Sequence, residues 1–499
     1  MNYILSIDQG TTGTTSLLID SESFEVVDKI NKEFPQIFPS PGLVEHDLND
    51  IWNTVKITVE ELINKNNVDP NSISCIGITN QRETTCAFDC SGAPLANAIV
   101  WQDRRTFPLC EELKNKGLEE KFKQKTGLTL DPYFSGSKMN WFLKNKKSIA
   151  DAKSEGNLKF GTIDTFLLFK LSGMTSFKTE PSNASRTLLM DLETTQWSEE
   201  LLNIFEIPQE TLPEIVDSFS LFGTTKGLSF LPDGIPITGI LGDQQAALFG
   251  QAGLQEGDVK CTYGTGAFML LNTGEKIHYS KNGLLSTVAF RYKNQTIYAL
   301  EGSCYIAGAA VGWLRDQLKI IKTSPDVENL AKKVTRLEEM ENLLFLPFFT
   351  GIGSPYWKSD AKAAILGLTR DTDDSHIARA CLDGIALSIQ DLIEAMIEDT
   401  KLNLRELKVD GGAVNNDLLM EIQATISNLK IIKPKIIETT AYGAGLASAI
   451  GNNLIKKDQI LSLWKKDKVI EGVRSNASFY QKKHKDWKEI IQTLFKVKN

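Results

Sequence analysis

The chain has 499 residues, a net charge of −8, and seven cysteines that are scattered without a CxxC motif. This length predicts two or more domains, and the negative charge disfavours nucleic-acid binding, which normally uses a basic surface. An odd number of isolated cysteines predicts reduced thiols and disfavours a disulfide framework or a zinc site. Because neither a signal-peptide pattern nor an apolar run of membrane-spanning length is evident, we expect a cytoplasmic protein without membrane insertion.

Strands and helices follow one another in α/β order. Strands are predicted at residues 3–7, 14–20, 25–34, 74–79 and 84–88. A helix is predicted from about Asp47, a good N-cap residue, because apolar side chains then recur at helical spacing. The second half contains a predicted helix around residues 377–396, a helix of small residues at 439–451 and a basic tail, residues 456–498, expected to end in a solvated helix.

Two Gly/Thr-rich turns stand between apolar strands and suggest a weak internal repeat. The first is "DQGTTGTT" at residues 8–15, and the second is "YGTG" at residues 263–266. If the repeat is real, each half of the chain presents one such turn to a shared cleft. We therefore place a boundary near residues 250–257, giving domains of residues 1–250 and 251–499.

Phosphate binding is the first function that these turns suggest. The chain has no GxxxxGK[ST] P-loop, no GxGxxG and none of the protein-kinase signatures. Backbone N–H groups and hydroxyls at Gly-rich turns are the remaining way to hold phosphate, and Asp8 suits a Mg²⁺ ion that keeps most of its waters. Two hairpin turns that use Gly and Thr only for geometry are the alternative. The candidate phosphate ligands are Thr11, Thr12, Gly13 and Thr14 on one side and Gly264, Thr265 and Gly266 on the other.

Two pairs of polar residues follow apolar strands. "GITNQRETT" places Arg82 and Glu83 where a polyol could use a donor and an acceptor together, although a surface ion pair is the alternative. "GILGDQQAALFG" places Asp243 and Gln244 before an Ala-rich run. Asp243 could be a helix N-cap, or it could accept a hydroxyl proton, as phosphoryl transfer to an alcohol requires.

A set of short motifs then makes the pattern specific. In chain order they are "DQGTTG", "GITNQRET", "NAIVWQDRR", "DPYFSGSK", "NASRT", "GDQQAALFGQ", "YGTGAFML", "NTGEK", "FTGIGSPYW", "GLTR" and "VDGGA". From residue 3 to about 451 the chain resembles the FGGY family of carbohydrate kinases, and within it the members that phosphorylate glycerol. The resemblance implies an α/β fold with two RNase H-like domains, of the actin, Hsp70 and sugar-kinase type, flanking a catalytic cleft.

The resemblance also implies an activity and a set of site residues. The activity is ATP-dependent phosphorylation of glycerol to sn-glycerol 3-phosphate, the entry step of glycerol catabolism, with Mg²⁺ and in a homo-oligomer (dimer or tetramer). Asp243 matches the catalytic base and Asp8 the residue that holds Mg²⁺. The implied glycerol ligands are Arg82, Glu83, Trp101, Tyr133, Asp243, Gln244 and Phe268. The implied nucleotide ligands are Thr11, Thr12, Gly13, Thr15, Thr265, Gly308, Gly312, Gly412 and Asn416.

The chain departs from the family pattern at two of these positions. Thr15 stands where the members that phosphorylate glycerol commonly carry Arg, and Gly312 where many carry Gln. We expect weaker ATP affinity as a result, unless Arg104, Arg105 or Lys138 compensates. A kinase for another small polyol or a ketose is an alternative, and a non-catalytic nucleotide switch on the same fold is a second one.

Overall fold

The computed structural model describes residues 2–497 and is built around two large β-sheets. The first sheet has six strands. Their spatial order is Gly223–Thr224, Pro236–Gly242, Ile73–Asn80, Tyr3–Gln9, Gly13–Asp20 and Val26–Glu33. The second sheet has seven strands. Their spatial order is Leu285–Tyr292, Gln295–Cys304, Ala267–Gly274, Val259–Tyr263, Glu406–Asp410, Lys430–Pro434 and Lys466–Ile470.

The two sheets share one connectivity. Each contains a central antiparallel hairpin, which we call the first hairpin (Tyr3–Gln9 with Gly13–Asp20) and the second hairpin (Val259–Tyr263 with Ala267–Gly274). In each sheet the leading strand of the hairpin pairs in parallel with a later strand, and a further parallel strand follows. The repeat suggested by the Gly/Thr turns is therefore present in the topology.

Helices and short strands surround these sheets. The helices are Leu48–Lys65, Phe107–Asn115, Glu119–Thr126, Ser135–Asn145, Lys147–Ser154, Ile163–Leu171, Pro181–Ala184, Glu199–Phe205, Asp243–Gly250, Gly308–Asp316, Asp326–Ala331, Asp374–Thr400, Asp417–Ser427, Thr439–Gly451, Ile460–Leu463 and Ala477–Phe495. The short strands are Glu45–His46, Cys86–Asp89, Ala98–Ile99, Leu158–Gly161, Lys178–Thr179, Met190–Asp191, Gln196–Trp197, Glu214–Ile215, Leu344–Leu346 and Ala364–Leu366. Within residues 2–497, none of the helices combines the length and the apolar composition that crossing a bilayer requires.

The predicted helix after Asp47 shows why the sequence pattern works. The Asp47 carboxylate accepts the backbone N–H of Asn49 at 2.8 Å, so it satisfies one of the free donors at the start of Leu48–Lys65. The apolar residues at helical spacing are buried against the first sheet.

A helix of small residues connects the two halves of the chain, which we define as residues 2–250 and 251–497. This crossing helix, Thr439–Gly451, belongs to the second half but packs on the first sheet and on helix Asp243–Gly250. A Cβ atom added at Gly443 would lie only 1.9 Å from the carbonyl oxygen of Ala246. Glycine is needed there because the two helix backbones touch directly.

Two strands of the second half also pack on the first half. These docked strands are Leu285–Tyr292 and Gln295–Cys304. The backbone N–H of Ser286 donates to the carbonyl oxygen of Gly127 at 2.9 Å. A small apolar cluster, formed by Ala184, Met190, Leu192, Ile215, Val288 and Tyr298, seals the contact. The halves thus interlock at two places.

The C-terminal helix Ala477–Phe495 is packed and not merely solvated, contrary to the prediction for the tail. Trp487 is fully buried, and its indole N–H donates to the Asp391 carboxylate at 2.9 Å. His484 lies between two acids of helix Asp374–Thr400, with Nε2 2.7 Å from Asp391 and Nδ1 3.3 Å from Glu394. The basic residues of the tail therefore serve partly as partners for buried acids.

Candidate active site

Three parallel strands of the first sheet end side by side, with Gln9, Asn80 and Gly242 in register. In open α/β sheets the carboxyl ends of parallel strands form the usual ligand crevice. Four of the implied acceptor ligands, among them the implied base, follow two of these ends. They are Arg82, Glu83, Asp243 and Gln244.

A tight turn brings both members of the Arg82–Glu83 pair into one buried network. Glu83 has a left-handed backbone with φ of 61°, and the N–H of Thr84 donates across it to the Arg82 carbonyl at 2.7 Å. The hydroxyl of Ser135 also donates to the Glu83 carbonyl at 2.9 Å. Such a backbone costs free energy at a residue other than glycine, and it is held here by its surroundings. Arg82 and Glu83 are both buried, so the surface ion pair is wrong.

Five charged side chains form an alternating chain behind the acceptor position. Glu301 accepts hydrogen bonds from Arg82 Nη1, from Arg82 Nη2 at 3.1 Å and from Arg186 Nη2 at 2.8 Å. Arg186 Nε donates to Glu83 at 2.5 Å, and Arg82 Nε lies 3.1 Å from Asp243 Oδ1 without hydrogen-bond geometry. The order is thus Glu83, Arg186, Glu301, Arg82, Asp243, which we call the charge chain.

Burial and charge shift the pKa values in this chain in opposite directions. Burial raises the pKa of the Glu83 carboxyl, although Arg186 and Arg82 oppose this shift. Burial also disfavours the charged form of Glu301, but the two arginines outweigh it and hold its pKa below the usual value. Glu301 is therefore firmly ionised, and both arginines have a fixed counter-charge.

Three aromatic side chains among the implied glycerol ligands lie together beside the charge chain: Trp101 and Phe268, expected to form the apolar wall, and Tyr133. The Trp101 ring makes edge contacts with Tyr133 at a centroid distance of 5.6 Å and with Phe268 at 6.3 Å. The Trp101 indole N–H donates to Thr11 Oγ1 at 2.9 Å. Phe268 lies on the second hairpin and Thr11 at the tip of the first, so Trp101 contacts both halves.

Gln244 has an amide orientation set by a buried lysine. Lys260 Nζ donates to Gln244 Oε1 at 2.5 Å and to Thr262 Oγ1 at 2.9 Å. Because the oxygen of the Gln244 amide is used, its NH₂ group remains for a ligand. Lys260 is wholly buried, and burial lowers its pKa.

Asp243 does not cap its helix. The helix begins at Asp243 itself, and the N-cap position is occupied by Gly242. One carboxylate oxygen accepts the Gln244 backbone N–H at 2.7 Å, and the side chain is 29% exposed. Asp243 is therefore the most exposed member of the charge chain.

Asp8 has the surroundings expected of a carboxylate that meets a divalent cation. Burial, followed by the charges of Asp243 and Glu438, raises the pKa of Asp8 to about 8. A Mg²⁺ ion would relieve this repulsion, and hard carboxylate oxygens suit it. In the described residues no group of three or more His, Cys, Asp or Glu side chains could enclose a metal. Asp8 thus fits a Mg²⁺ ion that keeps waters and takes oxygens from a phosphate.

Each Gly/Thr turn is closed by a backbone hydrogen bond between its first and last residues, although the first turn has four residues and the second has three. The N–H of Gly10 donates to Gly13 O at 2.9 Å in the first, and the N–H of Gly264 donates to Gly266 O at 2.8 Å in the second. Thr12 and Thr265 are exposed at the two tips, while Thr11 is half-buried through its contact with Trp101. Geometry also explains Gly13 and Gly266, since a Cβ atom at either would lie 2.6 Å from a backbone oxygen.

The predicted nucleoside residues gather at the carboxyl ends of the second sheet. The N–H of Gly308 donates to Gly264 O at 2.9 Å, so helix Gly308–Asp316 starts against the second hairpin tip. Gly412 is exposed in the turn after strand Glu406–Asp410, and Asn416 caps the following helix with its side chain. A Cβ atom at Gly312 would meet nothing within 4 Å, so a larger residue has room there.

Thr15 lies directly opposite Asp8 in the first hairpin and accepts a hydrogen bond from Asn31 Nδ2 at 2.8 Å. The three cations that could compensate for the missing Arg are bound elsewhere. They are Arg104, which pairs with Asp131, Arg105, which pairs with Asp103, and Lys138, which donates to three backbone carbonyls. None of these three cations is therefore free to replace the missing Arg, and weaker ATP binding stays the expectation.

Three residues of the site had no assigned role in the sequence reasoning. Arg186 lies within "NASRT", Lys260 lies within a strand, and Glu301 lies in the apolar strand "QTIYALEGSC". For Lys260 and Glu301 the sequence signal was a charged residue inside an apolar strand, because such residues are rarely buried without a partner.

The chain matches known proteins over nearly its whole length. Residues 3–250 match the N-terminal domain of the FGGY family of carbohydrate kinases, and residues 259–451 match the C-terminal domain. The glycerol kinase of Staphylococcus haemolyticus is 45% identical over 504 aligned positions, covering 100% of this chain and 99% of the relative. That of Staphylococcus epidermidis is 47% identical over 468 positions, with 93% and 92% covered.

Solved structures agree with this assignment. The crystal structure of Plasmodium falciparum glycerol kinase with ADP superposes with a TM-score of 0.90 at 36% identity, covering 99% of this chain and 98% of that one. The gluconate kinase of Lactobacillus acidophilus has a TM-score of 0.89 at 24% identity, with the same coverage, and is similar in fold. The predicted two-domain α/β kinase fold is confirmed, and the chain belongs to the FGGY family of carbohydrate kinases.

Proposed function

We propose that this chain transfers the γ-phosphoryl group of ATP to glycerol and forms sn-glycerol 3-phosphate, as the entry step of glycerol catabolism. The main support is that Arg82, Glu83 and Asp243 lie at one sheet edge beside the two Gly/Thr hairpins. The two bacterial relatives named glycerol kinase support the acceptor, and the ADP-bound neighbour supports the nucleotide.

The acceptor pocket suits a short polyol. Arg82 and the Gln244 amide supply donors, and the Glu83 carboxylate supplies an acceptor for hydroxyl groups. Arg82 Nε has no hydrogen-bond partner among the described residues, and such a buried donor is normally satisfied by a ligand or water. Trp101 and Phe268 would cover the carbon chain, with the Tyr133 hydroxyl at its end.

Asp243 is the proposed catalytic base. Its carboxylate is accessible, and the Gln244 backbone N–H donates to one oxygen, while the other oxygen can accept the proton of a primary hydroxyl. The hydroxyl oxygen would then attack the γ-phosphorus, with ADP as the leaving group.

The nucleotide would lie along the second sheet. Thr11, Thr12, Gly13 and Thr265 would contact the phosphates, with Thr15 nearby, and Gly308, Gly312, Gly412 and Asn416 would line the nucleoside side. Mg²⁺, held by Asp8 through water, would neutralise charge on the phosphates. Because most of the proposed acceptor ligands precede residue 250 and all of the proposed nucleoside residues follow it, this arrangement supports a boundary near residues 250–257.

Location and assembly are proposed on general grounds. All seven cysteines are free thiols, which fits the reducing cytoplasm. A homo-oligomer, either a dimer or a tetramer, is expected from the family, and light scattering of the purified protein would measure its mass.

The test is ATP-dependent ADP release with glycerol and a panel of polyols and ketoses. Wild type should be active with glycerol, and Asp243→Asn should lose about 10²- to 10⁴-fold in kcat while still binding ATP. The matched control is Asp360→Asn, because that carboxylate is 74% exposed and its ion-pair partner among residues 2–497 is Lys358. Activity with another acceptor alone would overturn glycerol as the substrate, and ATP binding without turnover of any acceptor would favour the nucleotide switch.

A further inference from the structure

Glu301 is the one member of the charge chain that the second half contributes. It lies on the docked strand Gln295–Cys304, whereas the other four members lie in the first half. Glu301 is 0% exposed, and both of its carboxylate oxygens are used by arginine donors. Because both of its oxygens are bonded to arginines, Glu301 is not assigned to the acceptor itself.

Each of the two arginines of the charge chain contacts two carboxylates. Arg82 directs both Nη atoms at Glu301, which leaves its Nε edge facing Asp243. Arg186 directs one Nη at Glu301 and its Nε at Glu83. A guanidinium is planar, so fixing one edge with a carboxylate fixes the direction of the other edge.

We infer that Glu301 is a positioning residue for phosphoryl transfer: it orients Arg82 and Arg186, and through them presents Glu83 and Asp243 to the acceptor together. This inference rests on the proposed function. It assigns the second half a part in acceptor binding as well as in nucleotide binding.

The location of Glu301 also connects the two substrates. The strand that carries it pairs with the second hairpin strand Ala267–Gly274, with Glu301 opposite Leu270 and Ser303 opposite Phe268. The strand that orients the acceptor ligands is thus bonded to the strand that leads to Thr265 at the predicted phosphate tip. One hydrogen-bonded pair of strands therefore connects the residue that orients the acceptor ligands with the turn that would contact the phosphates of ATP.

The experiment replaces Glu301 with glutamine, which keeps the shape and removes the charge. For Glu301→Gln we expect kcat/KM for glycerol to fall about 10- to 100-fold, because two charge-assisted contacts weaken. The KM for ATP should stay within about twofold, since the nucleotide contacts are separate. In an Arg82→Lys background, which cannot form the two-pronged contact, the same change should lower kcat/KM by less than in wild type, because only the Arg186 contact remains to be weakened.

The matched control is Asp383→Asn. Asp383 is likewise a buried acid of the second half between two bases, Arg379 at 3.3 Å and Lys483 at 2.7 Å, but it lies on helix Asp374–Thr400. It should lower the thermal midpoint and leave the KM for glycerol unchanged. If Glu301→Gln fails to fold, Glu301→Asp keeps the charge balance, shortens the reach and should still raise the KM for glycerol.

The outcomes separate the two proposals. If wild type phosphorylates glycerol but the Glu301 variants keep its kcat and KM, the positioning role is wrong. The same holds if Glu301→Gln loses ATP and glycerol affinity equally, or costs as much in the Arg82→Lys background as in wild type. If wild type is inactive with every acceptor, the proposed function and this inference are both overturned.

Discussion

Replacing Gly443 by alanine tests whether the contact between the crossing helix and helix Asp243–Gly250 controls catalysis. In a free helix this change should stabilise by about 0.5–1 kcal/mol. Here the new Cβ atom would lie 1.9 Å from the Ala246 carbonyl oxygen, whereas real Cβ contacts are essentially never under 3.0 Å. The helices must separate by about 1.1 Å, and such overpacking typically costs about 1–3 kcal/mol. The steric term should win.

This separation should be visible in the rate. Asp243 begins the helix that would move, and a misplacement of about 1 Å at a reacting group can cost about 10²-fold. We expect Gly443→Ala to lower kcat with glycerol by about 10- to 100-fold and to lower the thermal midpoint.

Gly445→Ala is the control for this experiment. It lies in the same helix, but its new Cβ atom would come closer than 3.0 Å only to Ile19 Cδ1, the end of a side chain, and would make an ordinary contact with Ser6 Cβ at 3.6 Å. It should retain kcat within about threefold. A Gly443→Ala enzyme with wild-type kcat would refute the reasoning, because it would mean that the helices separate without moving Asp243.

Three further predictions concern the nucleotide site, the aromatic wall and the C-terminal helix. Thr15→Arg should lower the KM for ATP about three- to tenfold by adding a cation near the phosphates, and an unchanged KM would contradict this. Trp101→Phe keeps an aromatic ring but loses the hydrogen bond to Thr11. Steady-state kinetics should show kcat reduced about five- to tenfold and the KM for glycerol changed less than about threefold, and an unchanged kcat would exclude a role for this hydrogen bond. Burial lowers the pKa of His484, but hydrogen bonds to two carboxylates outweigh it and raise the pKa to about 9. Its stabilisation should be complete below about pH 6.5 and be lost as the pH rises through 9, so the thermal midpoint should fall more in wild type than in His484→Gln over that range; parallel curves would contradict it.

The hairpins and the end-of-strand residues could be predicted because their signals are local. Gly and Thr at residues 10–15 and 264–266 mark turns, and polar pairs after apolar strands mark a ligand edge. Arg82 and Glu83 were therefore found, together with the chemistry that they suit. The pattern also suggested Asp8, the Gly/Thr turns and Asp243 as candidates, whereas the roles of the aromatic and nucleoside residues were implied only by the family resemblance.

The buried partners of those residues could not be predicted, because their signals are not local. Glu301 meets Arg82 across 219 residues of sequence and Arg186 across 115. Single-sequence patterns give no pairing over such distances, since the pairing depends on how one sheet docks on the other. The packing of the C-terminal helix was missed for the same reason: His484 and Trp487 find Asp391 only in the folded chain.

The docked strands Leu285–Tyr292 and Gln295–Cys304 have a consequence for how the chain acquires its structure. Without them, a fragment ending at residue 250 would expose the apolar face around Met190 and would leave Arg82 and Arg186 without their shared counter-charge. Both the exposed apolar face and the two unpaired arginines should destabilise the isolated fragment strongly. The two halves repeat one topology, yet they should not behave as independent folding units. Cut in the connection near residue 254, the chain should yield two fragments that are each unfolded alone and that regain structure and activity only when they are refolded together.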